Sequence, residues 1–154
     1  MQARSENNSY VNLVRVTGGV SWQELLTELG TKAQEMGLAN EGIVDALIQR
    51  ETGYPTGIAA EVGIAMPHAE SEFTARESVL VATLEQPVLF NPMGGGDEPV
   101  SVEVVFLLLL DDIDKHLTLL KAVSKLIQDV DKMHSLNGEN AYEILLEVFA
   151  SVEN

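Results

Sequence analysis

Three side chains in this 154-residue chain combine a reactive type with a suggestive setting: His68, Arg50 and His116. His68 follows Pro67 directly and stands among small neighbours, with Ala65 before the proline and Ala69 after the ring. Proline fixes the backbone and withdraws a hydrogen-bond donor, and small neighbours leave the ring open to a large group. An unperturbed imidazole titrates near ~6.5, so at neutral pH most of it is the neutral nucleophile. The alternative is a loop histidine without a role. Arg50 falls at i+7 from Ile43 and i+3 from Leu47, on the apolar side of the helix expected there. It either bonds the last carbonyls of that helix or turns toward an anion. His116 lies at i−4 from Leu120 and i−7 from Val123, which places it on a core-facing side. It is either a satisfied histidine at the edge of the core or a hydrogen-bonding partner of a reactive neighbour.

Other chemistries find less support. His68, His116 and His134 form no H-E-x-x-H or H-x-x-x-H pair, so spacing does not favour a metal site. The chain has no cysteine, which removes disulfides, thiol nucleophiles and Cys-ligated metals. Gly94, Gly95 and Gly96 resemble a phosphate loop only superficially. No Lys-Ser or Lys-Thr follows, and the next element reads as a strand rather than a helix. A hairpin or surface loop is expected there. Glu85, Asp97 and Glu98 lack the spacing of paired catalytic carboxylates, and Lys121, Lys125 and Lys132 read as a solvated face.

The elements that must position these residues follow from periodicity and punctuation. Residues 1–9 are expected to be a flexible N-terminus, with one domain over 10–154. The run from Tyr10 to Val16 alternates like a short strand. Ser21 and Glu24 make a capping box for a helix bearing Trp22, Leu25, Leu26, Leu29, Ala33 and Met36, which stops near Gly37. Asn40 is expected to cap a second helix that ends before Gly53 and Pro55. A small-residue stretch from Thr56 then gives a loop and a short strand broken at Pro67. Strands are expected at Ser78–Leu84 and Val88–Phe90, followed by a loop over 91–99. The stretch from Val100 to Leu110 alternates and then becomes continuously apolar, as a central strand buried on both faces does. Asp111 and Asp112 open a helix with apolar positions Ile113, Leu117, Leu120, Val123, Leu126 and Ile127. A last helix is capped by Asn140 and carries Tyr142, Leu145, Leu146, Phe149 and Val152. Helices flank the strands in order, so one layered α/β domain with a mixed sheet is expected.

Composition narrows the partners. Asp and Glu total 24 against 9 Lys and Arg, a formal net charge of −15. Such a chain repels nucleic acid and anionic membrane surfaces and favours basic protein partners. The most apolar run, Val104 to Leu110, is far shorter than the roughly 20 residues of a membrane helix. No signal segment is visible, so a soluble, cytoplasmic protein is expected.

The segment Gly63-Ile-Ala-Met-Pro-His-Ala69 resembles the active-site motif of the fructose/mannitol-type (type 2) enzyme IIA domains of the bacterial phosphoenolpyruvate-dependent sugar phosphotransferase system (PTS). Ala46-Leu-Ile-Gln-Arg-Glu51, followed by Pro55-Thr-Gly-Ile58, is similar to the family's upstream helix and loop, most closely in galactitol-type chains. The apolar strand ending in Asp111-Asp112, and then Lys115-His-Leu-Thr-Leu-Leu120, is similar to its downstream strand and helix. The resemblance covers roughly residues 20–152.

It implies the fructose/mannitol-type enzyme IIA fold, with His68 as the phosphorylated histidine, Arg50 facing the phosphoryl group and His116 as a second active-site histidine. Glu61 lies close to an acidic position of mannitol-type chains. The implied activity is a phosphotransferase with a transient phosphohistidine and no other cofactor or metal. The implied partners are the histidine phosphocarrier protein HPr, an enzyme IIB and, indirectly, a membrane enzyme IIC. The same fold also serves a regulatory nitrogen-type phosphocarrier, and a silent His68 would mark a non-enzymatic interaction domain.

Overall fold

The computed structural model describes residues 2–4 and 10–153, and in it a five-stranded mixed sheet is covered by helices on both faces. The elements in chain order are β1 (Gln2–Arg4), β2 (Val11–Val16), α1 (Trp22–Glu35), α2 (Ile43–Gly53) and β3 (Gly63–Ala65). A 3-10 turn (Ser71–Phe73), β4 (Ser78–Phe90), β5 (Val100–Leu109), α3 (Ile113–Ile127), α4 (Val130–Ser135) and α5 (Ala141–Glu153) follow. The strand order is β1-β2-β4-β5-β3. Strand β2 runs parallel to β4, and β3 runs parallel to β5. The β4–β5 and β1–β2 pairs are antiparallel.

Alternation along β5 sorts the core into two halves. Val104, Phe106 and Leu108 face Leu119, Val123, Leu126, Leu145 and Phe149 of α3 and α5. Val105, Leu107 and Leu109 face Leu25, Leu26, Leu29, Ile43 and Leu47 of α1 and α2. This is why residues 104–110 are apolar without interruption: both faces of the strand are dry. The strand lies inside the sheet, between β4 and β3, while β4 holds the middle place.

Several expectations meet the structure directly. The Ser21–Glu24 capping box is formed, with Glu24 N donating to Ser21 Oγ at 3.1 Å. Gly37 follows the C-cap Met36 with φ +76°, the left-handed stop favoured by glycine. Gly94, Gly95 and Gly96 sit in the exposed loop joining β4 to β5.

Other expectations are corrected. Asn40 does not cap α2. Its amide donates to the carbonyls of Glu72 (3.0 Å) and Thr74 (3.4 Å), and Gly42, with φ +94°, precedes the helix. The helix itself runs through Gly53. The two strands expected at 78–84 and 88–90 are one, because the register shift between Thr83 and Val88 absorbs exposed Glu85, Gln86 and Pro87. A proline cannot donate to a ladder, and a bulge is where a strand tolerates it. The apolar stripe of α3 is rotated: Leu119 is fully buried, whereas Leu117 and Leu120 are 58% and 40% exposed. The side chain of Ile113, also placed on that stripe, lies outside the described residues. The short α4 was not anticipated. It is capped by Asp129, which accepts from Lys132 N at 3.1 Å. Of the N-terminal residues expected to be flexible, Gln2–Arg4 pair with β2, and Met1 and residues 5–9 lie outside the described residues.

Candidate functional site

Strand β3 delivers His68. Gly63–Ala65 pairs with β5, and the chain remains attached past the strand because the Pro67 carbonyl accepts Leu108 N–H at 3.0 Å. Proline lacks a donor but keeps its acceptor, so the ladder reaches His68, which bridges Leu108. The ring then folds back on its own backbone, and Nδ1 lies 3.0 Å from the Met66 carbonyl oxygen. A carbonyl only accepts, so Nδ1 carries the proton. In the neutral ring the lone pair therefore sits on Nε2.

Arg50 and His116 approach from opposite faces of the sheet. Arg50 stands in the last turn of α2, on the α1–α2 face, and His116 in the first turns of α3, on the other. They meet at the end of β5, where His68 is held. The rings of His68 and His116 are 5.3 Å apart, edge to face at 62°. The start of α3 is fixed by Lys115 Nζ, which donates to Glu77 Oε2 at 2.6 Å.

Burial pushes the pKa of both histidines below the ordinary value. For His68 the Met66 bond acts against this, while the charges of Arg50 and His116 act with it. For His116 the Arg50 charge adds to burial. Both rings are therefore neutral at pH 7. Arg50 is positioned by the Tyr54 ring, 5.3 Å beneath its guanidinium carbon, and by a long ion pair to Glu70 at 3.8 Å. Its Nε is buried without a hydrogen-bond partner, and so is Nε2 of His116. Two unpartnered nitrogens therefore lie on the residues beside His68. Nε2 of His116 lacks the partner that a satisfied core-edge histidine would have.

The three residues singled out in the sequence are thus brought together. Glu61 is exposed in the loop before β3 and His134 lies in α4. Among the described residues no three His, Cys, Asp or Glu side chains gather as a metal-holding group. No described helix is long and apolar enough to cross a membrane.

Sequence reasoning passed over Glu51 and Thr56. Glu51 is 3% exposed and accepts twice from Thr56: from its N–H at 2.7 Å and from its hydroxyl at 2.9 Å. The Thr56 hydroxyl oxygen in turn accepts Met66 N–H at 3.1 Å. Burial raises the Glu51 pKa, and the two Thr56 bonds oppose that rise. The signal was available: Ile43, Leu47 and Glu51 stand at i, i+4 and i+8, so the carboxylate falls on the buried stripe.

Comparison with known proteins agrees with the motif. The chain is 30% identical over 135 residues to a nitrogen regulatory protein of Klebsiella oxytoca, covering 84% of this chain and 80% of that one. It is 29% identical over 125 residues to the galactitol-specific EIIA component of Escherichia coli K12, covering 79% and 83%. Its fold matches that of enzyme IIAMTL in a complex with phosphorylated enzyme IIBMTL from Escherichia coli. That match has a TM-score of 0.71 at 17% identity and covers 90% and 94% of the two chains. With a family model matching residues 10–152, the chain belongs to the EIIA 2 family of the phosphoenolpyruvate-dependent sugar phosphotransferase system.

Proposed function

We propose that this protein is a phosphocarrier that accepts a phosphoryl group from phosphorylated HPr on His68 and passes it to an enzyme IIB. A membrane enzyme IIC then uses it for uptake of a sugar or sugar alcohol of the galactitol, fructose or mannitol kind. The observation that carries this reading is the 3.0 Å contact between His68 Nδ1 and the Met66 carbonyl oxygen. The Nδ1 proton is held by Met66 O, which leaves the Nε2 lone pair free beside two unpartnered nitrogens.

The Nε2 lone pair forms a bond to phosphorus as the phosphorus–nitrogen bond of the donor breaks, and that electron pair returns to the donor nitrogen. Nδ1 keeps its proton throughout. The phosphorylated ring is then cationic, and the bond to Met66 O stabilises that charge. A ring protonated at Nδ1 is a good leaving group, so the same bond serves onward transfer. Such transfers depend on positioning and charge stabilisation. The arriving group brings about two negative charges to a chain already at −15. Arg50 offsets them locally through its fork of N–H donors, and His116 donates Nε2–H to a phosphoryl oxygen. The phosphoryl group is the only transient cargo that this chemistry requires.

A regulatory role is the second reading, favoured by the likeness to a nitrogen regulatory protein. The chemistry at His68 is then the same, but its phosphorylation state controls a bound target. Incubation with phosphoenolpyruvate, enzyme I and HPr, read by intact mass, tests the common step. One acid-labile phosphoryl group on the wild type, and none on a folded His68→Gln variant, is the expected result. An equally phosphorylated variant would place the chemistry elsewhere. Transfer onward to a sugar-type enzyme IIB separates transport from regulation.

A further inference from the structure

We propose that Glu51 is a positioning residue, which fixes the tautomer and aim of His68 through Thr56 and the Met66 backbone. The proposal deepens the phosphocarrier reading and rests on it for its functional consequence.

The chain of bonds has a single direction. Both Glu51 oxygens face Thr56 donors, the N–H at 2.7 Å and the hydroxyl at 2.9 Å. The hydroxyl proton is therefore spent on Glu51, and the hydroxyl oxygen is left to accept Met66 N–H at 3.1 Å. The Met66 residue is thus pinned by its N–H. Its carbonyl, on the far side of the same residue, accepts Nδ1–H of His68 at 3.0 Å. Every link is buried or half-buried, where hydrogen bonds polarise one another and unmade ones are costly.

Only an acceptor at both oxygens sustains this pattern. A glutamine that accepts from Thr56 N–H sets its own N–H2 against the hydroxyl. The hydroxyl oxygen then receives two donors, and its proton loses its acceptor. Competition at the hydroxyl weakens its hold on the Met66 N–H, the carbonyl that selects Nδ1–H shifts, and the His68 ring gains its second tautomer, in which Nε2 carries the proton. That tautomer has no lone pair at the attacking position.

The test is 15N NMR of the His68 ring together with single-turnover phosphorylation by phosphoramidate, a small donor that needs no docking. The variants are Glu51→Gln, Thr56→Val and Thr56→Ser. Wild type should show one tautomer, protonated at Nδ1. Glu51→Gln and Thr56→Val should show a mixture and accept phosphate about tenfold more slowly at saturating donor, as expected of a misaimed nucleophile. Thr56→Ser keeps the hydroxyl and should restore both readouts. A wild type without the Nδ1 tautomer, or a folded Thr56→Val with wild-type tautomer and rate, overturns the proposal. If Glu51→Gln fails to fold, the two Thr56 variants decide. A wild type that shows the fixed tautomer, loses it in the variants and yet takes no phosphate from phosphoramidate or HPr overturns the phosphocarrier reading and leaves the positioning role standing.

Discussion

Arg50 holds a dry nitrogen with nothing to bond, and an unsatisfied buried donor costs about 1–3 kcal/mol. A phosphoryl oxygen would remove that cost, so the interaction strengthens as the group arrives. Only interactions stronger in the transition state than in the ground state accelerate transfer. Arg50→Ala is therefore expected to slow single-turnover phosphoryl acceptance by roughly 10²- to 10³-fold, the scale for removing one preorganised donor. Its side chain is 36% exposed, so the stability change should stay within about 1 kcal/mol. Arg50→Lys restores the charge but not the planar fork, and should recover only part of the rate. An unchanged rate in Arg50→Ala would return the residue to a helix-capping role. The sequence made Arg50, His68 and His116 visible by type and by motif. Their meeting was legible only through the resemblance, because periodicity does not join two residues that hang from opposite faces of a sheet. Glu51 sat in plain view on an apolar stripe, and its meaning depended on a partner five residues away that only the folded loop brings back.

At the scale of elements, the site depends on a three-residue strand. Strand β3 is short, carries a register shift between Gly63 and Ile64, and still aims everything from Met66 to His68. Its hold on β5 requires glycine at 63, where a Cβ would collide with the Ser101 carbonyl oxygen. That atom belongs to the β5 backbone and cannot swing aside as a side chain does. Gly63→Ala is expected to cost about 1–3 kcal/mol as an overpacked contact. Thermal denaturation should then show a drop of a few degrees, at about 2–4 °C per kcal/mol for a chain of this size. Phosphoryl acceptance should slow as well, because the displaced strand carries His68 with it. A variant with normal stability and rate would mean that β5 yields at Ser101. The elements themselves were largely legible, through the capping box at Ser21 and the unbroken apolar run of β5. The phase of α3 was not. Val123 and Leu126 can share a face with Leu117 and Leu120, as expected, or with Leu119, and periodicity does not choose between the two phases. The packed structure selects Leu119, Val123 and Leu126. Similarly, the polar residues 85–87 read as a break between strands, because a bulge and a turn leave the same polar signature.

The whole molecule carries a net charge of −15, yet its candidate site gathers a cation and two neutral rings. Lowering the pH relieves the general self-repulsion and works in the opposite direction on the histidines. Both have folded-state pKa values below the ordinary 6.5, chiefly through burial. The unfolded chain, with histidines near 6.5, therefore binds more protons than the folded one in the interval below that value. Stability rises with pH wherever the unfolded state holds more protons. The contribution of the neutral rings is thus complete above pH 6.5 and is lost as pH falls through their lowered folded values. Its ceiling is about 1.4 kcal/mol per histidine per pH unit, and solvent screening at half-buried rings keeps it lower. Other titrating groups, Glu51 among them, act alike in a protein that lacks only these two rings. Chemical denaturation at pH 7.5 and 5.5 should therefore show wild type losing more stability than a His68→Gln, His116→Gln double variant. Equal losses would mean that the rings protonate in place without cost. The same lowered pKa keeps more of the His68 lone pair available below pH 6.5, so phosphoryl acceptance should fall off at a lower pH than the titration of a free imidazole would dictate.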